Sequence, residues 1–167
     1  MLEAGEIDWM PDVASSPDRL ARFDFHSEPV LHSWSQMYAR SGHKLDSVLD
    51  LKDKGVCVLR GSVQEQYLNE LKQGLGVNIR ILPVEAIDRG FQMVASGQAD
   101  AVLSSHHYGD TKAGEFSLIA TPIILQPAAL FIAVNKALGL QAELHTIDTQ
   151  LKAWKADDRS IYYRILN

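Results

Sequence analysis

Between Asp50 and Ser105 the apolar positions switch between a strand period and a helix period, twice. Val56–Leu59 (VCVL) is a short apolar run that predicts a strand, and it leads into Arg60-Gly61-Ser62-Val63-Gln64-Glu65. Ser62 stands where a helix N-cap belongs and Glu65 follows three residues later, the pattern of a capping box. Tyr67, Leu68, Leu71 and Leu75 then recur on one helical face, and Gly74 and Gly76 close the helix. Asn78–Leu82 (NIRIL) alternates as a second strand. Glu85–Ser96 predicts a second helix with Ile87, Phe91 and Val94 on one side and Gly97 as its stop. The continuous apolar run Ala99–Leu103 suits a strand buried on both faces of a parallel sheet. Right-handed crossovers place the three strands in one sheet, so the fold class is α/β. A strand that runs through glycine into a capped helix offers unpaired amides to an anion beside the carboxyl edge of the sheet.

The flanks repeat part of this pattern. Leu2–Ala4 reads as the last turn of a helix, Gly5 as its stop and Glu6–Met10 as a strand; Val94–Leu103 has the same order around Gly97, with Asp100 matching Asp8. These are equivalent corners of two similar lobes. The second corner follows a full βαβαβ unit, whereas the first follows nothing. Because a sheet strand needs neighbours for its backbone groups, the chain is expected to begin partway through its first lobe. An open sheet edge there would be covered by self-association, so a homodimer is expected. Asp12–Phe25, with Pro11 and Pro17 about it, predicts a loop with a short turn. Pro29–Ala39 and Thr121–Val134 are extended passages that bracket the α/β unit. The chain thus leaves lobe one, builds lobe two and returns, which makes the passages a hinge and places a cleft between the lobes. The expected divisions are 1–38 for partial lobe one and the first crossover, 39–120 for a complete lobe two, and 121–167 for the return and terminal helices on lobe one. Ala142–Lys155 predicts a helix with Leu144, Ile147, Leu151 and Trp154 in register, which puts Trp154 in the core; Arg159–Leu166 predicts a short last helix ending on Asn167.

Composition removes several classes. A net charge of −5 does not suit a nucleic-acid surface. No apolar run approaches the roughly 20 residues of a membrane helix. Met1–Met10 carries Glu3, Glu6 and Asp8 where a secretory signal would be basic and then apolar. The single Cys57 excludes an internal disulfide and a multi-cysteine metal site, and its place in a strand makes it a small core residue. His106 and His107 are adjacent, so on an extended segment they point apart and make a poor chelate. No metal or other cofactor is expected. Asp12, Asp18 and Asp24 lie in a polar stretch that suits solvated charges, with Asp12 the one most apt to face a cleft. Trp34, in the first crossover, is a candidate for lining that cleft.

Gly5-Glu6-Ile7-Asp8 with Arg19 and Phe25, Leu51-Lys52-Asp53-Lys54 before Val56, Gly61-Ser62-Val63-Gln64-Glu65, and Gly97-Gln98-Ala99-Asp100-Ala101-Val102 occur in an order and spacing that resembles the family-3 bacterial extracellular solute-binding proteins. The resemblance implies the type II periplasmic-binding-protein fold, two lobes joined by two extended crossovers. The family pattern opens with a βαβα segment that this sequence does not contain. The tail Leu151–Tyr163 and the turn Met10-Pro11-Asp12-Val13 look more like the sensor domains of membrane-bound histidine kinases and diguanylate cyclases than like transport proteins.

What the resemblance implies is an extracytoplasmic sensor domain, on the periplasmic or extracellular side of a bacterial inner membrane, in a membrane-anchored parent. It would bind a small anionic solute between its lobes and signal by closure. The alternatives are the solute-binding component of an ABC uptake transporter, or a periplasmic enzyme on the same fold, of the dehydratase or lytic transglycosylase type. Arg19 would pair with a ligand carboxylate, for which a guanidinium fork is suited. Ser62 and the amides of Val63 and Gln64 would meet the ligand at the helix N-terminus. Ser104, Ser105, His106 and His107 follow the last strand of the unit, where loops face the crevice. Amino-acid-binding members carry an aspartate near the place of Ser105, so a carboxylate or other anion without an amine fits better than an α-amino acid. The expected ligand-binding residues are Asp12, Arg19, Trp34, Ser62, Val63, Ser105 and His106, with no catalytic residue.

Overall fold

The computed structural model describes residues 1–166. The chain forms two compact units, unit 1 from Met1–His32 and Ala128–Asn167 and unit 2 from Ser33–Pro127. This is a two-lobed α/β fold, as expected from the sequence. Among the described residues there are seven strands: β1 Trp9–Ala14, β2 Phe23–Phe25, β3 Leu31–Arg40, β4 Gly55–Leu59, β5 Arg80–Val84, β6 Ala101–Ser105 and β7 Leu118–Asn135. The α-helices are α1 Pro17–Arg22, α2 Val63–Leu75, α3 Ile87–Ala95, α4 His106–Ala113, α5 Gln141–Lys155 and α6 Ile161–Leu166.

Unit 2 holds the strand order β3-β6-β4-β5. β4 pairs in parallel with both β5 and β6, and β3 runs antiparallel to β6. Strand alternation sorts the side chains into two cores. Met37, Ala39, Val56, Val58, Ala101 and Leu103 face Leu68 of α2 on one side of the sheet. Tyr38, Cys57 and Val102 face Phe91 and Val94 of α3, and Ala113 of α4, on the other. Gly90 lets α3 lie close on the sheet, because a Cβ there would sit 3.0 Å from Cys57 Cβ and 3.1 Å from Val102 Cγ2. Cys57 is buried, and burial pushes its thiol up to about 11.

Unit 1 has β1 and β2 each antiparallel to the last part of β7. Both pair with Ala133 and Val134, so they lie on opposite edges of that strand. Leu2, Val13 and Ala133 pack with Ile7, Phe23 and Phe25. The two corners matched in the sequence share their hydrogen bonds. Gly97 N–H donates to Val94 O and Gln98 N–H to Met93 O; Gly5 N–H donates to Leu2 O and Glu6 N–H to Met1 O. That is the Schellman pattern at both places, with Gly5 at φ 68° and Gly97 at φ 81°.

Several local expectations change. Asp12–Phe25 is more ordered than a loop, since β1 runs on to Ala14 and is followed by α1 and β2. Ser16 Oγ accepts from Arg19 N–H and Pro17 opens the helix, so the cap signal outweighed the prolines. His106 and His107 open a helix rather than continue an extended segment. His106-His107-Tyr108-Gly109-Asp110-Thr111-Lys112-Ala113 carries no apolar stripe to announce it. Trp154 is not a core residue: it is 38% exposed, because it borders open concavities of unit 1 instead of being packed over. Asn167, the expected end of the last helix, lies outside the described residues.

Candidate functional site

In unit 2 a concavity lies at the carboxyl ends of the parallel strands. It has a volume of about 240 Å³ and is lined by Leu59 at the end of β4, Leu103, Ser104 and Ser105 at the end of β6, Gln64 in the first turn of α2, Ile87 in the first turn of α3, and Tyr108 in α4. This is where an open α/β sheet receives a ligand, since helix N-termini and strand ends converge there.

The start of α2 is built as the capping signal predicts, with one change. Ser62 Oγ accepts from Glu65 N–H at 3.2 Å. The Glu65 carboxylate reaches past Ser62 to accept from Gly61 N–H at 2.6 Å, while Ser62 N–H donates to Leu59 O. The hydroxyl of Ser62 is thus committed to its own helix. Among the described residues the amides of Val63 and Gln64 have no acceptor. α2 is closed by Gly76 at φ 61°.

At the end of β6, Ser104 is 6% exposed and lines the concavity. Its hydroxyl has no hydrogen-bond partner among the described residues, and neither has that of Ser105. Tyr108 turns its hydroxyl to Asp88 as a donor, which pushes the phenol above its ordinary value. Behind the concavity, Tyr38 donates to Asp110 Oδ1 at 2.6 Å and to His106 O at 3.3 Å, and fixes α4 to β3. Burial, then the Asp110 carboxylate, push the Tyr38 phenol far above its ordinary value, so it stays a neutral donor.

The expected site residues fall into both units. Of Ser62, Val63 and Ser105, Ser105 lines the unit 2 concavity, while Ser62 caps α2 and Val63 stands beside the lining residue Gln64. Trp34 and His106 also lie in unit 2, but against each other: their rings stack at 3.5 Å with an interplanar angle of 5°. His106 is buried, with Nδ1 3.5 Å from Asp110 Oδ2, and does not line the unit 2 concavity. Asp12 and Arg19 belong to unit 1. Asp12 is exposed at φ 57°, beside the register shift in β1. Arg19 is exposed, donates to Ala14 O at 2.8 Å, and makes no ion pair with Asp18 or Asp24 among the described residues. Gln64, Leu59, Ile87, Leu103 and Tyr108 were not expected as lining side chains. The first four are at the strand ends and helix starts that the apolar pattern marks; Tyr108 is hidden because α4 has no periodic signal.

Unit 1 has two adjoining concavities of about 260 and 250 Å³, which share Val30, Leu151 and Trp154. Their walls are almost wholly apolar; their polar-bearing side chains are Gln150, Trp154 and Tyr162, and the Tyr162 hydroxyl donates to Val30 O. No cluster of three His, Cys, Asp or Glu able to hold a metal occurs among the described residues, and no described helix is long and apolar enough to cross a membrane.

No family model and no curated protein sequence matches the chain. Solved structures do. The second substrate-binding domain of a putative amino-acid ABC transporter from Streptococcus pneumoniae is 22% identical, with a TM-score of 0.76 over 99% of this chain and 73% of that one. A probable amino-acid ABC transporter extracellular-binding protein from Bacillus subtilis is 20% identical, with a TM-score of 0.79 over 94% of this chain and 69% of that one. The fold is that of a type II solute-binding protein. An ancestral amino-acid-binding protein, a precursor of cyclohexadienyl dehydratase, is 26% identical, with a TM-score of 0.68 over 98% of this chain and 69% of that one. Within this solute-binding fold, the unit 2 concavity is the place where strand ends, free amides and unpartnered hydroxyls coincide.

Proposed function

We propose that this chain is an extracytoplasmic solute-binding domain that holds a small molecule in the unit 2 concavity, and that it serves an uptake transporter. The observation that carries the reading is the concavity itself, set at the carboxyl ends of β4 and β6 against the free Val63 and Gln64 amides of α2. Free helix-start amides favour an acidic group on the ligand. The transporter role is supported by the solved structures of like fold, two of which are binding parts of amino-acid ABC transporters. The alternative, a sensor domain feeding a histidine kinase or cyclase, is supported by the resemblance of the Leu151–Tyr163 tail. A kinase or cyclase module encoded in frame after Asn167 would replace the transporter role with that one. The domain binds and releases its solute without chemistry.

The test is a thermal-shift screen against carboxylic acids, amino acids and polyamines. At a ligand concentration of about 100 times Kd, binding adds about 2.7 kcal/mol. In a chain of this size that raises Tm by roughly 5–11 °C. One class should give a saturable rise of that order. Arg19→Ala tests whether unit 1 shares in binding: an undiminished rise removes Arg19 from the ligand contacts. No rise with any class at millimolar concentration overturns the reading.

A further inference from the structure

The lining of the unit 2 concavity carries no formal charge. Its walls are Leu59, Ile87 and Leu103, and its polar groups are the neutral side chains of Gln64, Ser104, Ser105 and Tyr108. The nearby carboxylates are engaged elsewhere: Asp88 accepts from the Tyr108 hydroxyl, and Glu65 accepts from Gly61 N–H. An ammonium or guanidinium seated here would lose its water without gaining a counter-charge, and so would a second carboxylate. Ser104 points the other way. It is 6% exposed and lines the concavity, and its hydroxyl makes no hydrogen bond within the described residues, so a ligand there can take it as a partner. Ser105 and Gln64 likewise have no side-chain partner among the described residues.

Size narrows the choice. A cavity of about 150 Å³ accepts benzene. The 240 Å³ here has room for a six-membered ring with one or two further heavy atoms. We propose that the concavity takes the uncharged body of the ligand, an aromatic ring or branched chain bearing a hydroxyl or carbonyl, and discriminates against ligands whose body is charged. This rests on the binding reading above and specifies its ligand class: a monocarboxylic acid with a neutral, mostly apolar body.

The experiment measures Kd by isothermal titration for four acids on the intact chain. They are 4-hydroxyphenylacetate, phenylacetate, glutarate, whose body ends in a carboxylate, and 5-aminopentanoate, whose body ends in an ammonium. The expected order is 4-hydroxyphenylacetate tightest, with glutarate and 5-aminopentanoate weaker by about tenfold or more, as uncompensated burial of a charge requires. Ser104→Ala should reduce the preference for 4-hydroxyphenylacetate over phenylacetate by about 2–10-fold, the worth of one neutral hydrogen bond. Phenylacetate should bind the variant at least as tightly as the parent, because its bare ring no longer covers an unpaired hydroxyl, which also shows that the pocket has kept its shape. If glutarate or 5-aminopentanoate binds as tightly as the aromatic acids, this inference is overturned and the binding reading stands. If none of the four binds, the ligand that raises Tm in the wider screen decides: a charged body overturns the inference, and a neutral branched body supports it. If nothing in either set binds, both fall.

Discussion

Gly109→Ala is the substitution that probes most sharply how unit 2 is held together behind its concavity. Gly109 is buried in α4, and a Cβ built on it would run into Cε2, Cζ and the hydroxyl oxygen of Tyr38. Tyr38 has nowhere to retreat. It is fully buried, its ring lies 5.7 Å from that of Phe91, and its hydroxyl is tied to Asp110 and His106 O. Overpacking of this kind costs about 1–3 kcal/mol, and the upper half of that range is expected here because backbone or ring must move. For a chain of this size the Tm should fall by roughly 4–12 °C. Shrinking the neighbour should relieve the clash. Tyr38→Leu alone leaves a cavity and costs about 2–4 kcal/mol, but Gly109→Ala added to Tyr38→Leu should cost at least about 1 kcal/mol less than it does alone. Urea melts followed by far-UV circular dichroism on the four proteins of the cycle give the coupling. Costs that add to within about 0.5 kcal/mol would refute the packing argument.

Three further outcomes are expected. Asp148 in α5 accepts from Ser27 N–H at 2.8 Å and Glu28 N–H at 2.6 Å, with His26 Nδ1 3.4 Å away. Burial alone would raise its carboxyl, but those amides and His26 hold it below its ordinary value. A lowered folded-state value gives stability that is present above the unfolded pKa of about 3.9 and is lost as pH falls through the folded one. Asp148→Asn should therefore cost about 1–3 kcal/mol in urea melts at pH 7, with a gap that closes below about pH 4; a gap unchanged at pH 3 would count against the charged bond. Cys57, with its thiol pushed up to about 11, should ignore a disulfide thiol reagent at pH 8 until urea unfolds the chain, and fast labelling of the native protein would place it outside the core. Ser62→Ala should cost about 1 kcal/mol through the lost cap on Glu65 N–H, measured by the same melts, while leaving the Val63 and Gln64 amides in place for ligand.

The sequence showed most where one physical signal acted alone. Val56–Leu59 was expected as a strand, and the structure has β4 there, with Val56 and Val58 on one face and Cys57 on the other. The Gly5 and Gly97 corners were matched by residue order, and both carry the same pair of Schellman bonds. The candidate site was legible in its backbone: the Ser62 cap, the free amides after it, and the strand ends beside them. Its side chains were less so. Tyr108 reaches the concavity on a helix that has no apolar period, held by Gly109 lying against Tyr38, a contact between residues 71 apart in the chain. His106 was expected to face a ligand, yet its ring stacks on Trp34. Trp154 satisfies the helical spacing of a core residue but lines an open groove of unit 1, and spacing alone does not report depth.

The central claim is that the unit 2 concavity binds the solute. Its most direct test is an amide chemical-shift titration of the uniformly labelled chain with whichever acid gives the largest thermal shift. At saturation the largest changes should fall on Val63, Gln64, Ser104, Ser105 and Tyr108. Saturable binding with changes confined to the Val30, Leu151 and Trp154 groove of unit 1, and none at those five positions, would contradict the claim.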